Sequence, residues 1–88
     1  MVAKLLKVNG EIKQVKPKGK FFTLSELQKM VGGYIERLPC PKLEKSMVFG
    51  DEEGRLKNKP INVRASHMLG YVVVGDIVVV PESLLDRA

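Results

Sequence analysis

Apolar and polar positions alternate at the start of the chain, and residues 3–8 and 12–16 predict two short strands around Asn9-Gly10. Both turn residues tolerate positive φ, which is a hairpin signal. A two-residue turn sets Val8 opposite Glu11 and mixes the faces. A three-residue loop pairs Val8 with Ile12 and Leu5 with Val15, the better hydrophobic match. That register also sets Lys7 against Lys13 and Lys4 against Lys16, like charges that ask for a counter-charge from elsewhere.

Pro17-Lys18-Gly19-Lys20 reads as a loop, and the period then changes to that of a helix. Thr23 can cap it, and Glu26 stands three residues on, so each side chain can reach the other residue's backbone N–H. Phe22 before the cap and Leu27 in the second turn make a hydrophobic staple. Leu24, Leu27, Met30 and Val31 form one apolar stripe, and Gly32 or Gly33 stops the helix, which predicts a helix over 24–31.

Residues 34–38 predict a strand stopped by Pro39-Cys40-Pro41, and residues 46–49 another, followed by the turn Gly50-Asp51-Glu52-Glu53-Gly54. Leu56 to Pro60 reads as irregular and basic. Asn62 can cap a short helix over 63–69 that ends at Gly70. Residues 71–80 leave two readings open. Gly75-Asp76 closes a tight hairpin, or only residues 77–80 form a strand, through the centre of the sheet, with 71–74 a covered connector. In either case so apolar a run must be buried or paired. Residues 83–88 are left as a short tail with room for one helical turn.

The order strand, strand, helix, strand, strand, short helix, strand predicts a single α+β domain, with the element order of a β-grasp, in which a sheet wraps on one helix. Eighty-eight residues suffice for one domain with one modest core, and the apolar fraction of 44% is that of a globular chain. No apolar run approaches a membrane span and no leader is evident at Met1-Val2-Ala3-Lys4. A lone cysteine, Cys40, forms no internal disulfide. Together these features lead to the expectation of a cytoplasmic protein that does not engage membranes.

Charge changes this picture. The formal net charge is +5, and the first 20 residues account for all of it, with Lys4, Lys7, Lys13, Lys16, Lys18 and Lys20 against Glu11 alone. A basic end on a neutral body is a footprint for nucleic acid, an acidic protein or an anionic ligand, or else a solvated lysine-rich hairpin. Phe21 and Phe22 follow these lysines, and an aromatic that stacks on a base would suit single-strand binding, although the staple claims Phe22. A second basic group, Arg55, Lys57, Lys59 and Arg64, surrounds the short helix, where an arginine can fork to a carboxylate or phosphate.

Catalytic chemistry finds little support. Three adjacent carboxylates at Asp51, Glu52 and Glu53 fan outward instead of converging on a hard cation, so the turn reads as solvated. Cys40 lies near Arg37 and Lys42, which would favour a thiolate, but its base would have to be His67, the one histidine. One Cys and one His assemble no zinc site. Gly32-Gly33 follow a helix, whereas phosphate cradles precede one. The expectation is a protein that is not an enzyme and carries neither cofactor nor metal.

Val31-Gly32-Gly33-Tyr34-Ile35-Glu36, preceded by Leu24-Ser25-Glu26-Leu27-Gln28, resembles a domain-of-unknown-function family of small proteins from phages, plasmids and other mobile elements. The similar pattern continues with an Asn-Glu-Glu-Gly turn, a Leu-Pro-x-Asn segment, an Ala-Thr pair and a Gly-Asp-x-Val-x-Val strand. This chain has Asp51-Glu52-Glu53-Gly54, Pro60-Ile61-Asn62, Ala65-Ser66 and Gly75-Asp76-Ile77-Val78-Val79-Val80. It departs by Asp51 for Asn, Lys59 for Leu and Ser66 for Thr.

The resemblance implies a mobile-element accessory protein without an assigned activity. The expectation is therefore a non-enzymatic binding protein that acts through its surface on a macromolecular partner, a protein in preference to nucleic acid. Homodimers could form by strand addition at an exposed edge. One alternative is nucleic-acid binding through the six N-terminal lysines, which requires them on one face. Another is capture of a small anionic ligand, which requires a pocket. Asn62, Arg64 and Arg55 are the candidates for contacting a ligand or partner, although the cap of its own helix is the better reading of Asn62.

Overall fold

The computed structural model describes residues 2–86. Its elements are β1 (Ala3–Leu6), β2 (Ile12–Val15), α1 (Leu24–Val31), β3 (Ile35–Leu38), β4 (Ser46–Asp51), α2 (Val63–Leu69) and β5 (Ile77–Pro81), with a 3-10 turn at Glu82–Leu84. The strands form one sheet in the order β2-β1-β5-β4-β3. Every pairing is antiparallel, including that of β1 with β5. The fold is α+β as the pattern predicts. In a β-grasp the first and last strands run parallel, so the element order is shared while the sheet is not.

Residues 77–80 form the central strand and 71–74 the connector, which decides between the two readings of this stretch. Gly75 holds a φ of +77°, its N–H donates to the Pro60 carbonyl at 2.9 Å, and the Asp76 carboxylate accepts the Val8 N–H at 3.0 Å. These bonds turn the chain into the sheet instead of closing a hairpin. Ile77, Val78 and Val80 are all buried, although they point to opposite faces of the strand. A strand apolar on both faces needs cover on both. Phe22, Leu27 and Val31 cover Ala3, Leu5, Phe49, Val78 and Val80 on one side. Ala65, Leu69 and Val73 cover Leu6, Val48 and Ile77 on the other. The sheet is therefore a middle layer, and the expectation of a sheet on one helix is corrected by α2 and the connector.

The helix predictions agree residue by residue. Thr23 and Glu26 form the reciprocal capping box, Phe22 and Leu27 share one core cluster, and Gly32 ends α1 in the left-handed conformation at φ 82°. Asn62 caps α2 by accepting the Ala65 N–H at 3.0 Å, and Gly70 ends it at φ 84°. Every strand shifts by a residue or two at one end: β1 stops at Leu6, β2 stops at Val15 and β5 runs on to Pro81. β3 begins at Ile35, and β4 runs on through Gly50 to Asp51. Of the C-terminal tail, residues 87–88 lie outside the described residues.

The hairpin has its three-residue loop one position earlier than the hydrophobic match predicts. Val8, Asn9 and Gly10 form it, with the Gly10 N–H donating to Lys7 at 3.0 Å and Gly10 at φ 92°. Ala3 then pairs with Val15, Lys4 with Gln14, Leu5 with Lys13 and Leu6 with Ile12. Gly10 alone meets the left-handed position that this turn requires, and that requirement overrides the better apolar match. No lysine faces a lysine in these four pairs, so the counter-charge argument falls.

Candidate functional site

The six N-terminal lysines do not form one face. Side chains alternate across a strand, so Lys4, paired with Gln14, lies on the α2 side of the sheet, and Lys13, paired with Leu5, lies on the α1 side. Lys7 is half-buried and Lys20 sits 5.4 Å from the centre of the Phe21 ring. Lys16 and Lys18 instead join a groove between β2, the loop after it and α1. The groove has a volume of about 520 Å³, an apolar floor of Val15, Phe21, Phe22 and Met30, and a rim of Lys16, Lys18 and Lys29.

Sequence order hides this groove because its parts come from a strand end, a loop and a helix. The capping box is what closes it. Glu26 lines the groove, but its two oxygens accept the Thr23 N–H at 2.9 Å and the Lys18 N–H at 3.0 Å. Those two backbone bonds, Thr23 first, hold its carboxyl below the ordinary carboxylate range. Glu26 is thereby fixed to the backbone, whereas the three lysines are exposed at the rim. Such a surface suits a ligand with an apolar body and negative charge. Lys29 was missed because it lies off the apolar stripe and reads as an ordinary solvated helix residue.

A second cleft, of about 320 Å³, lies on the other side of the sheet. Leu38, Gly50 and Ile77 form its floor, and residues 71–74 form one wall. Arg55 lines it, with Nη2 donating to the Val72 carbonyl at 3.2 Å, and Glu36 and Glu52 set carboxylates beside it. Tyr71 donates its hydroxyl to the Pro39 carbonyl at 2.8 Å, and burial holds its phenol above the ordinary value. Arg64 is exposed on α2 and lines neither cleft.

Asn62 is fully buried and faces no surface. Its Nδ2 donates to the Leu6 and Gly75 carbonyls, both at 2.9 Å, while Oδ1 caps α2. It is a joint between β1, α2 and the start of β5, and the assignment of Asn62 to a ligand or partner is corrected to this structural role.

The acidic turn is also unlike its solvated expectation. Glu52 and Glu53 are exposed, but Asp51 is buried. Its Oδ2 receives Lys57 Nζ at 2.9 Å and Lys59 Nζ at 2.7 Å, and its Oδ1 accepts the Glu53 N–H at 2.8 Å. The same lysines reach the open end of α1, Lys59 to the Val31 carbonyl at 2.7 Å and Lys57 to the Gly32 carbonyl at 3.2 Å. Cations there complement the helix dipole. Burial alone would raise the Asp51 pKa, but the bonds from Lys59, Lys57 and the Glu53 N–H outweigh it and hold the value at about 2. A Cβ on Gly33 would lie 2.6 Å from Lys57 Nζ, and one on Gly75 would lie 2.8 Å from Lys59 Cδ, so both glycines make room for the lysines. The segments around 32–33, 51–54, 57–59 and 75 thus meet at one buried ionic joint.

A model of the family described as Domain of unknown function (DUF3846) matches residues 4–83. The chain belongs to this family. No curated protein and no solved structure matches it. The match to DUF3846 spans both helices, β1 from Lys4 onward, the other four strands, both clefts and the Asp51 joint. Among the described residues of this DUF3846 domain, no group of three or more His, Cys, Asp and Glu side chains could hold a metal ion, and no helix is long and apolar enough to cross a membrane. Cys40 is half-buried against the Val48, Ala65 and Leu69 cluster, and His67 is exposed on α2.

Proposed function

We propose that this DUF3846 domain is a non-enzymatic accessory protein of a mobile element that binds an acidic protein partner in the basic groove beside α1. The mobile-element setting comes from the motifs it resembles. The observation that carries the binding reading is the apolar floor of Val15, Phe21 and Met30 under the three ammonium groups of Lys16, Lys18 and Lys29. Charge at the rim attracts and orients an acidic partner, and the floor supplies the area that holds it.

Two observations favour protein over nucleic acid. The lysines are divided between the two faces of the hairpin, so they trace no continuous phosphate track. Of the two aromatics that follow the lysines, Phe22 is 6% exposed and committed to the core, which leaves Phe21 alone to stack.

The test is a selection from a random peptide display library, run on the intact domain and on the Lys16→Glu, Lys18→Glu, Lys29→Glu triple variant. The wild type should enrich sequences that combine carboxylates with one or two large apolar residues, and the folded variant should not. Equal enrichment by both proteins, or tight salt-sensitive binding of labelled oligonucleotides that survives the triple substitution, rejects the groove as the binding surface.

A further inference from the structure

The groove lies along an open sheet edge. β2 pairs with β1 and stands last in the sheet among the described residues. The Lys7 N–H donates to the Glu11 carbonyl at 2.9 Å, in the same register that sets Leu5 opposite Lys13 and Ala3 opposite Val15. Bonded and non-bonded pairs alternate along an antiparallel ladder, so Lys13 and Val15 turn their backbone groups toward β1. Ile12 and Gln14 therefore turn their N–H and C=O groups outward. Side chains alternate as well, which puts Lys13 on the same face as Val15, the β2 residue in the groove floor.

We infer that the partner binds as an added β-strand along β2, bonded through its main chain to Ile12 and Gln14. This rests on the groove being the binding site. One apolar side chain of the added strand enters the groove over Val15, Phe21 and Met30. Residues two positions to either side share that face, and carboxylates there meet Lys13 at one end and Lys16, Lys18 and Lys29 at the other. The recognised chemistry is thus an extended acidic segment in which carboxylates flank an apolar residue at alternate positions.

Charge selects this occupant over a second copy of the chain. Ile12–Val15 carries a lysine and no carboxylate, with Lys16 directly after it and Glu11 directly before it. Two such edges laid antiparallel, Ile12 bonded to Gln14, would set Lys13 directly against Lys13, with Glu11 opposite Val15 and not opposite a lysine. An unblocked edge also needs a reason to stay unpaired, and its lysines discourage self-association until an acidic strand arrives.

The experiment uses the full ¹⁵N-labelled chain and a peptide of about a dozen residues that alternates threonine with glutamate, with one central leucine in the glutamate register. Binding should shift Lys16, Lys18 and Lys29 and slow exchange of the Ile12 and Gln14 amides by about tenfold or more. Methylating one alternate set of peptide nitrogens should weaken binding by about tenfold, and methylating the other set should change it little. Gln14→Pro removes an outward N–H without touching the bonds to β1, so the folded variant should lose about tenfold in affinity.

Groove shifts without protection of Ile12 and Gln14, and with both methylated peptides binding alike, would overturn strand addition while leaving the groove reading intact. No binding by the peptide, with leucine in either register, would reject both. A dimer of the free protein that Gln14→Pro dissociates would place a second copy on this edge and overturn the proposal. If the proline variant does not fold, the two methylated peptides decide.

Discussion

The Asp51 carboxylate and the Lys59 ammonium stand 2.7 Å apart, with the Asp51 side chain only 1% exposed. Lys59 also donates to the Val31 carbonyl, so one side chain ties the end of β4 to the end of α1. A charge in so buried a site is tolerated only when its partner faces it, as Lys59 faces Asp51. Asp51→Asn alone leaves two ammonium groups converging on a neutral amide and should cost about 2–3 kcal/mol. Lys59→Leu alone should cost about 1–2 kcal/mol, because Lys57 still serves the carboxylate. The double variant should be less destabilised than the sum by about 1 kcal/mol, measured as a double-mutant cycle in urea.

Acid should dissolve the same joint. The Asp51 pKa is about 2 in the folded protein, below the ordinary value of 3.8, so the folded state binds fewer protons than the unfolded chain in this range. Its contribution is fully present above about pH 5 and fades as the pH falls toward 2. The loss should be on the order of 2 kcal/mol in urea midpoints taken across that window, and Asp51→Asn should flatten that part of the profile.

Local signals in the sequence were sufficient for both helices, because capping side chains and glycine stops act within a few residues. The central strand was legible only as one of two readings, since the composition of residues 71–80 required burial or pairing but did not say which, and the cover over Ile77 on one face and Val78 and Val80 on the other comes from distant segments. The hairpin register was not, because a left-handed glycine position outweighed the apolar pairing used to predict it. Asp51 was read with Glu52 and Glu53 as a solvated turn, since nothing within that segment reveals the lysines and the α1 terminus that bury it. Asn62 was legible as a cap, but its bonds to Leu6 and Gly75 depend on residues 56 and 13 positions away. The groove was half-visible. Lys16 and Lys18 stood out as charge, whereas Lys29 joins them only once α1 packs beside β2.

Gly33 should be intolerant of a single methyl group. A Cβ there would lie 2.7 and 2.8 Å from the two Asp51 carboxylate oxygens, and the carboxylate is held in place by three donors. Lys57 can swing away but Asp51 cannot, so Gly33→Ala should cost about 1–3 kcal/mol. Gly19→Ala supplies the contrast, because a Cβ at Gly19 meets nothing within 4 Å. Thermal melts of the two variants should differ by several degrees, with Gly19→Ala close to wild type.

Asn62 should behave as a joint and Arg64 as a surface residue. Asn62→Ala removes three bonds in a fully buried position and leaves the Leu6 and Gly75 carbonyls each without that partner, which should cost about 3 kcal/mol or more. Asn62→Asp keeps the cap but turns an oxygen toward those carbonyls, so it should be no better tolerated. Arg64→Ala, at an exposed position, should stay within about 0.5 kcal/mol of wild type in chemical denaturation.

Glu26 links helix stability to the shape of the groove. One oxygen closes the capping box at Thr23 and the other holds the Lys18 N–H, so a side chain with a single acceptor must release one of them. Glu26→Gln offers one carbonyl and one amide donor. The box places its acceptor within the first turn of α1, whereas the bond to Lys18 restrains a loop, so the loop bond should be the one released. Amide exchange at Lys18 should then accelerate while that of Leu27 and Gln28 holds, at a total cost of about 1 kcal/mol. The acidic threonine–glutamate–leucine peptide should bind this variant more weakly even though the substitution removes a negative charge from the groove. Tighter binding instead would show that Glu26 acts on the ligand through its charge and not by holding the loop that carries Lys16 and Lys18.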